Sequence, residues 1–163
     1  MAIIDENVRE TRMLDRTDSQ VLAELQRDPM QTAQDLGHKL NLSASQAARR
    51  RLRLEQDGVI TGYTARLDPA RIGLTVQAFV QVQMAAHSAE QAQAFACLIA
   101  TLPQVTDCWT MTGEADYLLS VWCADLASLN LLIQSRLLPH PAVARVQSQI
   151  VLDRLKDNAG LPV

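Results

Sequence analysis

Ser43 to Glu55 reads S-A-S-Q-A-A-R-R-R-L-R-L-E, and it is the one place where this chain concentrates positive charge. From Leu36 to Leu54 there is no Asp or Glu, while Lys39, Arg49, Arg50, Arg51 and Arg53 all fall inside the window. The stretch opens as a helix does: Ser43 can cap the free N–H groups of the first turn, and Gln46, three residues on, can reach back to it. Arg49 to Arg53 then spread around roughly one and a half helical turns, so at least two guanidiniums share any outward face. An Arg-rich helix is often no more than a solvated one; the residues before it argue otherwise.

Working outward toward the N-terminus, Asp15 can cap a helix with Asp18 at its third position, and Val21, Leu22 and Leu25 recur on one face until Asp28-Pro29 ends it. Thr32 and Asp35 make a second capping box, and Ala33, Leu36 and Leu40 form a short apolar stripe that stops at Asn41-Leu42. The basic helix is the third, and Gly58 can take the left-handed conformation that closes it. Three short helices joined by tight turns, the last one basic, predict a helix-turn-helix of winged type whose third helix enters the major groove of double-stranded DNA. Ala44, Ser45, Gln46 and Arg50 are then the candidates for base contact, since Gln pairs with adenine and Arg with guanine. Ser43 lies at the same helix start, and Lys39, Arg49, Arg51 and Arg53 are the candidates for phosphate.

Working outward toward the C-terminus, Val59 to Leu67 reads as extended chain, and Asp68-Pro69 breaks it at a domain boundary. Beyond Gly73 the period becomes two: Val76, Ala78, Val80, Val82 and Met84 alternate with Gln77, Phe79, Gln81 and Gln83, as in a strand with one buried face. Ser88 with Gln91 opens a helix that runs to Thr101, and Leu102-Pro103 stops it. Val105–Thr112 and Ala115–Cys123, with Gly113 between them, read as a hairpin. Asp125 caps a helix through Leu126, Leu129, Leu132 and Ile133 to Leu138, and Val143 to Leu152 is a last strand. The order strand-helix-strand-strand-helix-strand predicts a ferredoxin-like βαββαβ domain, so the fold class is α+β.

The net charge of -3 over 163 residues excludes a uniformly basic nucleic-acid coat, so any DNA contact must be local. Between Ile72 and Ile150 only Arg136 and Arg145 are basic, against the acidic Glu90, Asp107, Glu114, Asp116 and Asp125. A charge-poor sheet covered by helices on one face tends to associate through the other, which predicts a homodimer built on this domain. Cys97, Cys108 and Cys123 are widely spaced and read as buried small hydrophobes. His38, His87 and His140 match no metal spacing, and no catalytic or nucleotide-binding motif appears. The expectation is therefore no catalytic residue, no metal and no cofactor. No apolar run approaches the ~18 residues of a membrane span, and the start lacks the order of a secretory signal, so a cytoplasmic location without membrane contact is expected.

With these residues in view, the chain resembles the Lrp/AsnC (feast/famine) family of transcriptional regulators. L-D-R-T-D-S-Q-V-L-A-E-L-Q-R-D from Leu14 resembles the family's opening helix. N-L-S-A-S-Q-A-A-R-R-R-L-R-L-E-Q-D-G-V-I-T-G-Y-T-A-R-L-D-P-A-R-I-G-L from Asn41 resembles its recognition helix and linker strand. M-T-G-E-A-D-Y-L-L from Met111 resembles the G-x-x-D-[YF] turn of its ligand-sensing domain, and L-L-P-H-P-A-V-A-R-V-Q-S-Q-I-V-L from Leu137 its last helix-to-strand passage. The corresponding organisation is an N-terminal arm (1–13), a helix-turn-helix domain (14–60), a linker strand (61–73), a ferredoxin-like effector-binding and oligomerisation domain (74–156) and a tail (157–163).

The resemblance implies a promoter-binding regulator that responds to a small effector, an amino acid, and dimers that assemble to a tetramer or octamer with the effector between them. It places Met111, Thr112, Gly113, Glu114, Asp116 and Tyr117 at the effector site, with Asp116 holding a ligand ammonium or fixing the turn. Two departures stand out. Arg51 occupies a position that is usually apolar and Leu52 one that is usually polar, which either rolls the recognition helix by one residue or draws Leu52 into the core. Ala115 stands where an aromatic is frequent, which enlarges the pocket. The alternatives are an architectural protein that wraps DNA, and an enzyme resembling sirohaem decarboxylases, which share the two-domain build.

Overall fold

The three predicted N-caps of the first half all form. In the computed structural model, which describes residues 14–156 and 160–163, α1 spans Arg16–Arg27, α2 Ala33–Leu40 and α3 Ala44–Gln56. Asp15 accepts from the Asp18 N–H at 2.7 Å, and the Asp18 carboxylate accepts from the Asp15 N–H at 3.3 Å. Thr32 with Asp35 and Ser43 with Gln46 close the same reciprocal box at the start of α2 and α3. Val21, Leu22, Leu25, Leu36, Ala47 and Leu54 bury against one another, with Leu40 and Ile60 packed at the edge. Each fully buried Leu or Val contributes roughly 1.5–3 kcal/mol. The turn between α2 and α3 is tight because Asn41 takes a left-handed conformation (φ 55°) and position 37 has no side chain. A Cβ on Gly37 would stand 2.7 Å from the Leu42 carbonyl oxygen, so any other residue there forces the two helices apart.

Chain contacts divide the molecule into two units, one ending at Ala65 and also holding Lys156–Val163, the other Arg66–Leu155. The expected N-terminal arm and part of the expected tail lie outside the described residues. The expected linker strand is not a strand: residues 61–69 have no ladder partner among the described residues, and a single 3-10 turn, Ala70–Ile72, follows them. An extended segment needs a neighbour to become a strand, and this one is exposed along almost its whole length.

The second unit is β1 (Val76–Met84), α4 (Ala89–Ala100), β2 (Val105–Thr110), β3 (Tyr117–Cys123), α5 (Leu126–Leu132) and β4 (Val143–Ile150). All pairings are antiparallel, in the order β2-β3-β1-β4, which is the ferredoxin-like arrangement. Ala78, Val80 and Val82 of β1 and Leu119 and Val121 of β3 are fully buried, and they share a core with Phe95, Leu129, Leu132 and Leu137 from the helical side. The alternate face carries Gln77 beside Trp122, Phe79 beside Ser120 and Gln81 beside Leu118.

Three details differ from the sequence reading. Ser88 caps α4, accepting from the Gln91 N–H at 3.1 Å, but Gln91 does not reach back to complete a box. The last helix does not run evenly to Leu138: after Leu132 it widens into a π turn, Ile133–Leu137, which still buries Leu137. Of the cysteines only Cys123 is buried; Cys97 and Cys108 are exposed. Cys97 shares the outer side of α4 with Gln93 and Ala94, and Cys108 lies on an edge strand that is exposed along most of its length.

Candidate nucleic-acid interface and effector pocket

On α3 the phase is set by the two buried residues, Ala47 and Leu54. Ser45, Ala48, Arg49, Leu52 and Gln56 are exposed and recur at helical spacing, so they form the outer face. Leu52 is 53% exposed, and the helix is neither rolled by one residue nor adjusted to draw Leu52 inward. Both resolutions expected for the Arg51-Leu52 order are therefore corrected. The apolar position is filled instead by Arg51, whose long side chain carries its charge past the core to polar partners. Its Nη1 donates to the Gln31 carbonyl at 3.1 Å and its Nε to Glu55 at 3.1 Å.

The other arginines divide sharply. Arg50 donates to Asp15 at 2.7 Å and to Asp18 at 2.6 Å, and Arg53 donates to the same Asp18 oxygen at 2.5 Å. Asp18 is 4% exposed, so α1 holds two guanidiniums of α3 on one buried carboxylate. Lys39 pairs with Glu24 at 3.2 Å. Arg49, bonded only to the Ser45 carbonyl at 3.4 Å, is the cation of this window without a carboxylate partner among the described residues. The oxygen of Gln46 accepts from the Ser43 N–H and hydroxyl at 2.9 and 3.0 Å. A bidentate pair with adenine would require that box to open. Ala44, Ser45 and Ser43 are exposed at the helix start, as a reading end requires.

These pairings leave an electrostatic signature. The Arg50 guanidinium holds the Asp15 carboxyl below the usual range, Lys39 does so for Glu24, the Thr32 hydroxyl for Asp35 and the Tyr63 hydroxyl for Glu55. Each of these groups binds its proton more weakly in the folded state. Its contribution is therefore present above the ordinary carboxyl values of 3.8 to 4.5 and is lost as pH falls through the lowered folded value. In the second unit the Ser128 side chain holds the Asp125 carboxyl below the usual range in the same way. On acidification from about pH 6 to about pH 2 the helical head should melt first. Both tryptophans, Trp109 and Trp122, lie in the second unit, so far-ultraviolet ellipticity should fall before tryptophan fluorescence changes. Coincident transitions would refute this.

The second unit carries a cavity of about 270 Å³ on the open sheet face, where Gln81 and Leu118 meet Met111, Thr112, Glu114 and Ala115 of the β2–β3 turn. Gly113 makes the turn possible with φ 115°. Asp116 is used structurally: its Oδ2 accepts from the Met84 N–H at 2.7 Å, its N–H donates to the Val82 carbonyl at 3.0 Å, and its carbonyl accepts from the Met111 N–H at 2.8 Å. Its Oδ1 faces His87 Nδ1 at 3.4 Å. Tyr117 stacks on Phe95 at 4.8 Å, toward the helices. Of the six residues expected at an effector site, Met111, Thr112 and Glu114 line the cavity, Gly113 shapes it, and Asp116 and Tyr117 support the turn from behind. Gln81 and Leu118 complete it, and the alternation of β1 and β3 was the signal that could have found them.

A capped three-helix head with an exposed third helix, followed by an open-faced βαββαβ sheet with a cavity at its hairpin turn, has the build of a ligand-responsive DNA-binding regulator. Sequence comparison agrees: residues 14–61 match the winged helix-turn-helix DNA-binding family, and residues 77–161 match the Lrp/AsnC ligand binding domain. The chain belongs to the Lrp/AsnC family and is a DNA-binding transcriptional regulator. It is 34% identical to the DNA-binding transcriptional activator DecR of Escherichia coli (strain K12), over 93% of this chain and 99% of that protein. It is 37% identical to the Bkd operon transcriptional regulator of Pseudomonas aeruginosa, over 85% and 91%. Its fold superposes on a transcriptional regulator of Neisseria meningitidis solved as an L-Met complex, with a TM-score of 0.88 at 33% identity, covering 92% of this chain and 97% of that one. Among the described residues no helix is long and apolar enough to cross a membrane.

Proposed function

We propose that this regulator reads paired DNA half-sites as a homodimer, itself assembling to a tetramer or octamer, and that an amino acid seated at the Gly113 turn changes that binding. The reading face is Ser45, Ala48, Arg49 and Leu52, with Ala44 and Ser43 at the helix start. The observation that carries this is the division of the arginines: Arg50, Arg51 and Arg53 are engaged within the head, and Arg49 alone extends from an exposed, capped helix. Arg49 is thus the guanidinium available to a guanine edge, and Leu52 and Ala48 offer apolar surface to thymine methyl groups. Lys39, on the far side of a weak exposed pair, remains within reach of phosphate. The L-Met complex of the Neisseria relative supports an amino acid as effector, and the half-apolar lining from Met111, Ala115 and Leu118 suits one with a sizeable apolar side chain.

The test is a duplex selected from a randomised pool, titrated at rising salt and again with each amino acid. Affinity should fall steeply with salt as phosphate contacts are lost, and at least one amino acid should shift it. Arg49→Ala should cost about 1–3 kcal/mol and relax preference at one base pair. Equal binding of scrambled duplexes by wild-type protein would overturn sequence reading in favour of DNA wrapping.

A further inference from the structure

Among the described residues the last backbone hydrogen bond that ties the chain to the head is that of Ile60, whose N–H donates to the Leu54 carbonyl at 3.0 Å and whose side chain packs partly on the core. Gly62 follows, with no atom within 4 Å of where a Cβ would stand. A glycine in open space is the freest residue a chain can have, so nothing along the backbone itself would hold the start of the linker. Yet Tyr63 is held. Its hydroxyl donates to Glu55 Oε1 at 2.7 Å, the same oxygen that takes Arg51 Nε at 3.1 Å, and the Arg51 guanidinium lies 4.8 Å from the centre of the Tyr63 ring. Arg51 in turn reaches the Gln31 and Pro29 carbonyls at 3.1 and 3.4 Å. One guanidinium therefore ties together the turn after α1, the third turn of α3 and the linker.

We propose that Arg51, Glu55 and Tyr63 form a clasp that makes the first residues of the linker a rigid extension of the recognition helix, and so limits how far apart and at what angle two heads of one assembly can bind. The inference rests on the reading of paired half-sites by a dimer. Tyr63 is 45% exposed, so it contributes little to the core, and losing it opens no cavity. An apolar residue at position 51 would satisfy the core, but it would leave Glu55 and Tyr63 without the third member. Placing arginine there and leucine outside is what the clasp requires. Shortening the free part of a tether raises the effective concentration of the second head at its half-site and narrows the spacings it can reach. Arg51 and Tyr63 are thus positioning residues: they touch no base, and they set where the residues that do can go.

The experiment uses the full chain, a paired duplex selected from a randomised pool, the same duplex with one half-site scrambled, and a series with altered spacing. Tyr63→Ala should leave binding to the single half-site within about twofold, weaken the paired duplex about tenfold, and flatten the dependence on spacing. Tyr63→Phe, which keeps the stacked ring and loses the Glu55 bond, should fall between. Trypsin cleavage after Arg66 should accelerate several-fold in Tyr63→Ala and in Arg51→Met, because local opening exposes the linker. Unchanged cleavage and unchanged spacing preference in both variants would overturn the clasp, as would an equal loss on single and paired duplexes. If wild-type protein shows no preference for any duplex, the half-site reading fails while the cleavage comparison still decides whether the linker is held.

Discussion

Asp18→Ala should destabilise the helical head by about 3–5 kcal/mol, because removing one partner of a buried pair leaves the other uncompensated. Here two partners are left: Arg50 and Arg53 both bond the same carboxylate, and Asp18 also completes the cap of α1. The side chains of Arg50 and Arg53 remain 27% and 34% exposed, so water takes up part of the loss and the lower end of the range applies. For a domain of this size each kcal/mol moves the melting temperature by about 4–8 °C. A melt followed by ellipticity, with tryptophan fluorescence reporting the second unit separately, should show the head unfolding far below its normal temperature and the sheet nearly unmoved. DNA binding should be lost with it, although Asp18 is buried and is not itself part of the reading face. A shift of only a few degrees would mean that the arginines find water as good a partner. Adding Arg50→Met and Arg53→Met to Asp18→Leu should recover much of the loss, since a buried ion pair replaced as a whole by apolar groups is often neutral.

Phe95→Ala should cost the second unit about 3–5 kcal/mol, the usual loss for emptying a fully enclosed aromatic site. Phe95 is completely buried, 4.8 Å from the Tyr117 ring and 6.0 Å from His140. Tyr117 is the first residue of β3 and directly follows the turn that lines the cavity, so the damage should be felt there. Denaturant unfolding followed by Trp109 and Trp122 fluorescence gives the stability change, and titration with L-Met and the other amino acids gives the response. We expect the response to be lost or strongly weakened at temperatures where the variant is still folded. An intact response would separate the turn from the core behind it.

The parts of this fold that were legible in the sequence are those set by neighbours within four residues or by a simple period. Asp15, Thr32 and Ser43 cap because their partners are three residues away, and β1 shows its buried face by alternation alone. The charge run on α3 was legible as charge, but not as a set of pairings. Arg50 meets Asp18 across 32 residues and Arg51 meets Gln31 across 20, distances over which no local rule operates. Arg50 was thus expected to face bases and is turned inward, whereas Arg49 carries the exposed charge. The same limit explains the cavity. Met111, Thr112 and Glu114 belong to one turn and could be named together, while Gln81 joins them only because β1 pairs with β3 in the register Gln81 to Leu118. Asp116 was open between two roles in the sequence, and the hydrogen bond from the Met84 N–H to its Oδ2 supports its part in fixing the turn.

The cavity opens on the same sheet face that carries Phe79, Trp122 and the row of glutamines. If a second copy of the chain covers that face, a ligand lying against Gln81 and Leu118 becomes part of the joint between copies. Ligand occupancy and assembly are then linked quantities, each strengthening or weakening the other by the same factor. The dose of ligand giving half response would then depend on how much of the protein the cell contains, and the regulator would read its own abundance together with the metabolite.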